Sequence, residues 1–171
     1  MATVNDRGPV LIDSFTISSD VASVVLTGMT SAYSMYQVIT SSVAGSTPHL
    51  VFRFQVSGTS VVNTIYDHNG YRAQSSNNTV TDTHVSGQSS GNIHYTGVHV
   101  PVCAVTIYNS QESSEYTYAK VDSIGRNGSG YADAIAGCST LKQTSVVDGI
   151  EIFDKDGDNL TSGELLLFGF V

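Results

Sequence analysis

Nine short runs of β-branched and aromatic residues, each closed by Gly, Ser, Asn or Pro, constrain this chain more than any other feature. The clearest is 50–56, LVFRFQV, where Leu50, Phe52, Phe54 and Val56 alternate with Val51, Arg53 and Gln55. Alternation with period two puts one set of side chains on each face of a strand. Similar runs lie at 10–18, 21–27, 33–41, 100–108, 114–123, 130–139, 146–153 and 163–171. They recur at a spacing of roughly 10–15 residues, close to that of sandwiches and barrels. The alanines of 130–139 would suit a short helix, but Gly130 and Gly137 favour a strand. Ser and Thr number 41, against 13% charged residues, so hydroxyls cover much of the solvent-facing side. The expectation is all-β: a two-sheet antiparallel sandwich of roughly eight to ten strands. Residues 10–171 form one domain behind an N-terminal arm, 1–9, whose polar MATVNDRGP ends in Gly8-Pro9.

Charge removes some function classes. The formal net charge is −8, and the seven Lys and Arg residues are scattered, so no basic stripe is present to follow a phosphate backbone. No nucleic-acid partner is expected. No run of 18 apolar residues occurs, and MATVNDRGPV lacks the apolar core of a signal peptide. The chain is therefore expected to be made in a cytoplasm and to have no membrane partner. Cys103 and Cys138, 35 residues apart, are too few for a zinc site and read as small apolar residues on strands.

Between about 57 and 98 the alternation fades. HNGYRAQSSNNTVTDTHVSGQSSGN is polar and turn-rich, a long excursion with room for two irregular strands. A long loop in a compact domain is commonly functional. Its Tyr66, His68, Tyr71, Arg72 and His84 are the first candidates for partner contact, with His94 and Tyr95 beside them. Val4, Asn5 and Arg7 are the candidates from the arm.

The carboxylates of 153–171, FDKDGDNLTSGELLLFGFV, invite comparison with a calcium loop. Asp154, Asp156 and Asp158 fall on the first three ligand positions of an EF-hand, but the glycine comes early and Glu164 stands one residue short of the last position. The flanks read as strands, so an acidic hairpin turn explains the segment better, with Asp154, Asp156 and Asp158 a weak calcium candidate. The histidines show no ligand spacing, and neither a nucleophile elbow nor an H-E-x-x-H motif is present. No metal, cofactor or catalytic residue is expected.

The last third, from YAKVDSIGRNGSGYADAIAGCSTLKQ through TSVVDGIEIFDKDGDNLTSGELLLFGFV, resembles the C-terminal half of small β-sandwich proteins from tailed bacteriophages. The shared pattern is a V-x-G-I-x-I strand (Val147 to Ile152), a G-x-N-L-x-S-G turn (Gly157 to Gly163) and a closing L-F-G (Leu167 to Gly169). The turn is Ser-rich in those proteins, and the aspartates depart from it. SFTISSDVASVVLTGMTSAYSMYQVI and HLVFRFQVSG match more loosely. The resemblance implies a jelly-roll-like sandwich and a place in the virion, and it transfers no catalytic residue. The favoured expectation is a capsid decoration or cement protein on the outer surface of the particle. It would bind the major capsid protein and form a homo-oligomer, with a trimer favoured. A tail or fibre module that binds a receptor or glycan is the alternative, and a hydrolase on a sandwich scaffold is a distant third. A chain opening at its own Met1 without a stem fits decoration better than a fibre tip.

Overall fold

Leu50, Phe52 and Phe54 are fully buried, as the alternation at 50–56 requires, and they belong to the smaller of two sheets. The computed structural model describes residues 8–45, 49–75, 79–94, 99–126 and 129–171. Among these the strands are β1 (Val10–Ile17), β2 (Ser23–Thr27), β3 (Met35–Gly45), β4 (Leu50–Val56), β5 (Thr59–Ser60), β6 (Tyr66–Gln74) and β7 (Thr79–Gln88). They continue with β8 (Gly91–Asn92), β9 (His99–Tyr108), β10 (Thr117–Arg126), β11 (Ala132–Leu141), β12 (Gly149–Asp154) and β13 (Leu160–Phe170). All nine expected strands are present, and the fold is a two-sheet antiparallel sandwich.

The large sheet has eight strands in the order β1-β13-β3-β9-β10-β11-β6-β7. The small sheet runs β2-β12-β4-β5, with β8 also paired to β4. Their facing sides make the core. Val38, Val105, Val121, Leu165 and Leu167 of the large sheet meet Val24, Leu26, Phe52, Phe54, Ile150 and Ile152 of the small one. The large sheet curls at both ends, with β1 beside β2 and both β6 and β11 beside β8. Each interior side chain moves from water into apolar surroundings, which is the main driving force for the arrangement.

Two features differ from the sequence expectation. Val51 is also fully buried, although it faces away from the Phe52 side. The chain around β8 comes back against β4 there, pairing at Val51 and Phe52, and Arg53 Nε donates to the Ser89 carbonyl at 3.1 Å. The acidic turn, in turn, is no hairpin. β12 already lies between β2 and β4, while β13 lies between β1 and β3, so the segment 154–159 crosses from one sheet to the other. A true hairpin occurs between β4 and β5. There Ser57 and Gly58 both take positive φ, 52° and 69°, the conformation of a type I′ turn.

An aromatic cluster joins the layers. Phe52 and Phe54 sit edge to face with centroids 5.1 Å apart, and Phe54 stacks at 6.3 Å on Tyr66 of the large sheet. The Tyr66 hydroxyl accepts from the Phe54 N–H at 2.9 Å and donates to the Val61 carbonyl at 3.3 Å. Replacing Phe54 with Ala removes a ring from this junction and should cost about 3–5 kcal/mol of stability, measured by denaturant unfolding.

Candidate functional site

The face of the large sheet turned away from the core carries the exposed chemistry. β10 shows how it is built: Thr117, Ala119, Val121, Ser123 and Gly125 point inward, while Tyr118, Lys120, Asp122, Ile124 and Arg126 point out. Register aligns such outward residues into rows across the strands. Val102 of β9 pairs with Ile124, Ile124 with Ala134 of β11, Ala134 with Ala73 of β6, and Ala73 with Val80 of β7. Ile124 is 63% exposed, Val80 69% and Val102 54%. This is a continuous apolar row over five strands, flanked by a shallow groove of about 380 Å³ over Ala73, Val80, Ile124 and Ala134.

Two rows away, Asn69, Lys120, Cys138 and His84 align in the same manner. They border an open groove of about 610 Å³ together with Tyr71 and Asp82. Its floor includes the backbone of Gly70 and Gly137, which pair with each other across β6 and β11. A Cβ on Gly137 would lie 2.6 Å from the Asn69 carbonyl oxygen, and one on Gly70 would lie 2.8 Å from that of Ala136. Only glycine allows so close an approach.

Behind this face the interior is polar. Arg72 points inward and its Nε lies 3.1 and 3.0 Å from the two oxygens of Asp133, a carboxylate with no exposed surface. His68 Nδ1 sits 3.0 Å from Ser139 Oγ, and its Nε2 sits 3.3 Å from Thr83 Oγ1. His94 Nδ1 lies 2.9 Å from Ser123 Oγ, which donates to the Ile93 carbonyl at 3.0 Å. The hydroxyl therefore accepts from His94 Nδ1–H, and the bare Nε2 is buried without a hydrogen-bond partner. Each pair has the elements of a base and a nucleophile, yet both histidines are fully buried and neither is open to solvent. Burial lowers both imidazoles from 6.5 to about 4, which keeps them neutral.

The contact candidates divide accordingly. Tyr71, 60% exposed, and His84 both border the groove. Tyr66 and His68 do not reach the surface, because the alternation of β6 turns both inward, and Arg72 turns inward to Asp133. Val4, Asn5, Arg7 and Tyr95 lie outside the described residues. The long excursion is chiefly the β6–β7 pair, a regular ladder from Val85 to Thr79. Sequence reading missed Val80, Val102 and Ile124, whose outward position was legible only in the alternation of their own strands. Cys103 is buried in β9, whereas Cys138 is exposed on β11, and both are free thiols.

The three aspartates of the crossing segment do not form a ligand set. Asp154 is buried, and its oxygens accept the backbone N–H groups of His49 and Asp156 at 2.8 Å each. The exposed Asp156 carboxylate lies 4.0 Å from His49 Nδ1. Among the described residues no group of three or more His, Cys, Asp or Glu is placed to hold a metal ion. No family model, curated protein or solved structure matches the chain.

Three outcomes follow from this geometry. The unfolded chain takes up protons on His68 and His94 below about pH 6.5, whereas the folded chain does so only near pH 4. Their contribution to stability is thus complete above about pH 6.5 and is lost as pH falls from there toward 4. Thermal unfolding across that window should show the loss, with a shallower slope in His68→Gln. Asp154→Ala leaves the backbone N–H groups of His49 and Asp156 without their acceptor and should cost about 1–3 kcal/mol. Asp156→Asn should change stability by less than about 0.5 kcal/mol in the same denaturant titration.

Proposed function

We propose that this chain is a structural protein of the outer surface of a phage particle, a decoration or cement protein that docks on the major capsid lattice. The observation that carries this reading is the exposed apolar row Val102–Ile124–Ala134–Ala73–Val80. At about 4.8 Å per strand it extends roughly 19 Å across the sheet. Contiguous apolar surface of this kind marks protein interfaces, while single exposed apolar residues do not. Small alanines beside Ile124 leave the shallow relief that an interdigitating partner needs. The virion setting rests on the resemblance of the strand and turn motifs from Val147 to Gly169, and surface placement is this reading's own addition, supported by the exposed row. With no catalytic residue transferred and both Ser–His pairs sealed inside, binding explains the surface better than turnover does.

A receptor- or glycan-binding role has its own support in the groove over Gly70 and Gly137. Tyr71 offers a ring face, and Asn69, Asp82, His84 and Lys120 offer polar groups around it, a combination suited to a sugar ring. Titration with host surface polysaccharide, followed by Tyr71 ring resonances, separates this role from capsid binding.

Ile124→Lys tests the main reading. The side chain is outward, so the melting temperature should stay close to that of the parent. Binding to capsids stripped of the protein should fall by at least tenfold if the row is the docking surface. Undiminished binding would remove the outer face from the reading.

A further inference from the structure

We infer that two copies of this chain pair edge to edge through β7, so that the eight-stranded sheet continues into a second copy across a two-fold axis. β1 and β7 are the terminal strands of that sheet. A terminal strand offers a row of backbone N–H and C=O groups to any further strand unless something blocks it. β1 is blocked. Pro9 precedes it, its register breaks between Leu11 and Asp13, and the Asp13 carboxylate accepts the N–H groups of Ser14 and Thr27 at 2.8 Å each.

Between Thr79 and Val85, β7 carries no such break. TVTDTHVSGQ contains neither Pro nor Lys, and its ladder to β6 is regular from Val85 to Thr79. The single break lies beyond Val85, beside Gly87 with φ 65°. The apolar row also runs to this edge and ends in Val80.

Side-chain chemistry selects the register. A two-fold axis normal to the sheet keeps the outer faces of both copies on one side, so the pairing centres on a single residue. Centring on Asp82 would oppose two carboxylates, and centring on His84 would oppose two imidazoles. Centring on Thr83 opposes the two Thr83 residues and sets each Asp82 against His84 of the second copy, twice over. Thr81 then faces Val85. Threonine pairs and acid–base pairs across strands are stabilising, whereas like charges are not. Asp82, Thr83 and His84 also line the groove over Gly70 and Gly137, so β7 of the second copy forms a wall on its open side. This pairing needs only the chain itself and stands whatever the outer face binds.

Sedimentation of the purified chain over a concentration series tests it directly, with a reversible dimer expected. Opposed Cα atoms in antiparallel strands lie about 4.5–5.5 Å apart, within disulfide range. In a Cys138→Ser background, Thr83→Cys should therefore give a covalent dimer on mild oxidation, while Thr81→Cys gives little. Asp82→Lys should weaken self-association roughly tenfold, and Asp82→Lys combined with His84→Glu should restore it. Circular dichroism checks the fold of each variant. The parent's mass decides independently if loss of the Thr83–His68 contact unfolds Thr83→Cys. A parent that remains monomeric, a trimeric mass, or equal cross-linking from Thr81→Cys would overturn the pairing.

Discussion

The contact between Tyr66 and Phe54 ties the two sheets together across the core. β6 lies near one end of the large sheet and β4 lies within the small one, so no ladder hydrogen bond ties them. A ring stack, together with a hydroxyl that takes the Phe54 N–H, fastens that end of the large sheet over the small one. The hydroxyl is buried and hydrogen-bonded on both sides, which is the condition for a tyrosine to serve in a core. Once this end is fixed, β11 and β10 follow by register, and their inward residues face the small sheet.

The far part of the large sheet inverts the usual partition of a sandwich. Asp133, Arg72, His68 and Ser139 are inside, while Ile124, Ala134, Ala73 and Val80 are outside. These four side chains pair across neighbouring strands, Arg72 with Asp133 and His68 with Ser139, and an ion pair without exposed carboxylate surface tolerates little distortion. The polar interior thereby fixes the backbone beneath the outer rows. A rigid platform keeps an apolar surface in one shape, which lowers the ordering cost of binding.

This inversion also explains how far the sequence could be read. Strands such as 50–56 and 100–108 announce themselves because their inward residues are apolar. β6 hides its role, since His68 and Arg72 look like surface residues until Ser139, Thr83 and Asp133 are seen opposite them. The polar segment around it therefore reads as an excursion, and Tyr66 falls among polar neighbours in the sequence rather than beside the phenylalanines. The segment 154–159 shows a second limit. Its turn chemistry is legible, but whether a turn returns along its own sheet or crosses to the other depends on what already flanks β12. Tyr71 and His84 lie exposed, as a polar stretch with aromatic residues implies whichever strands carry it.

The strict alternation of β10 separates two kinds of selection within ten residues. Thr117, Ala119, Val121 and Ser123 answer to folding, whereas Tyr118, Lys120, Asp122 and Ile124 answer only to whatever lies outside. Substitutions at the second set leave the core untouched, so the outward surface can change while the shape stays the same. A family built this way would keep its inward residues and vary its outward ones, and the faces of a single strand would record different histories.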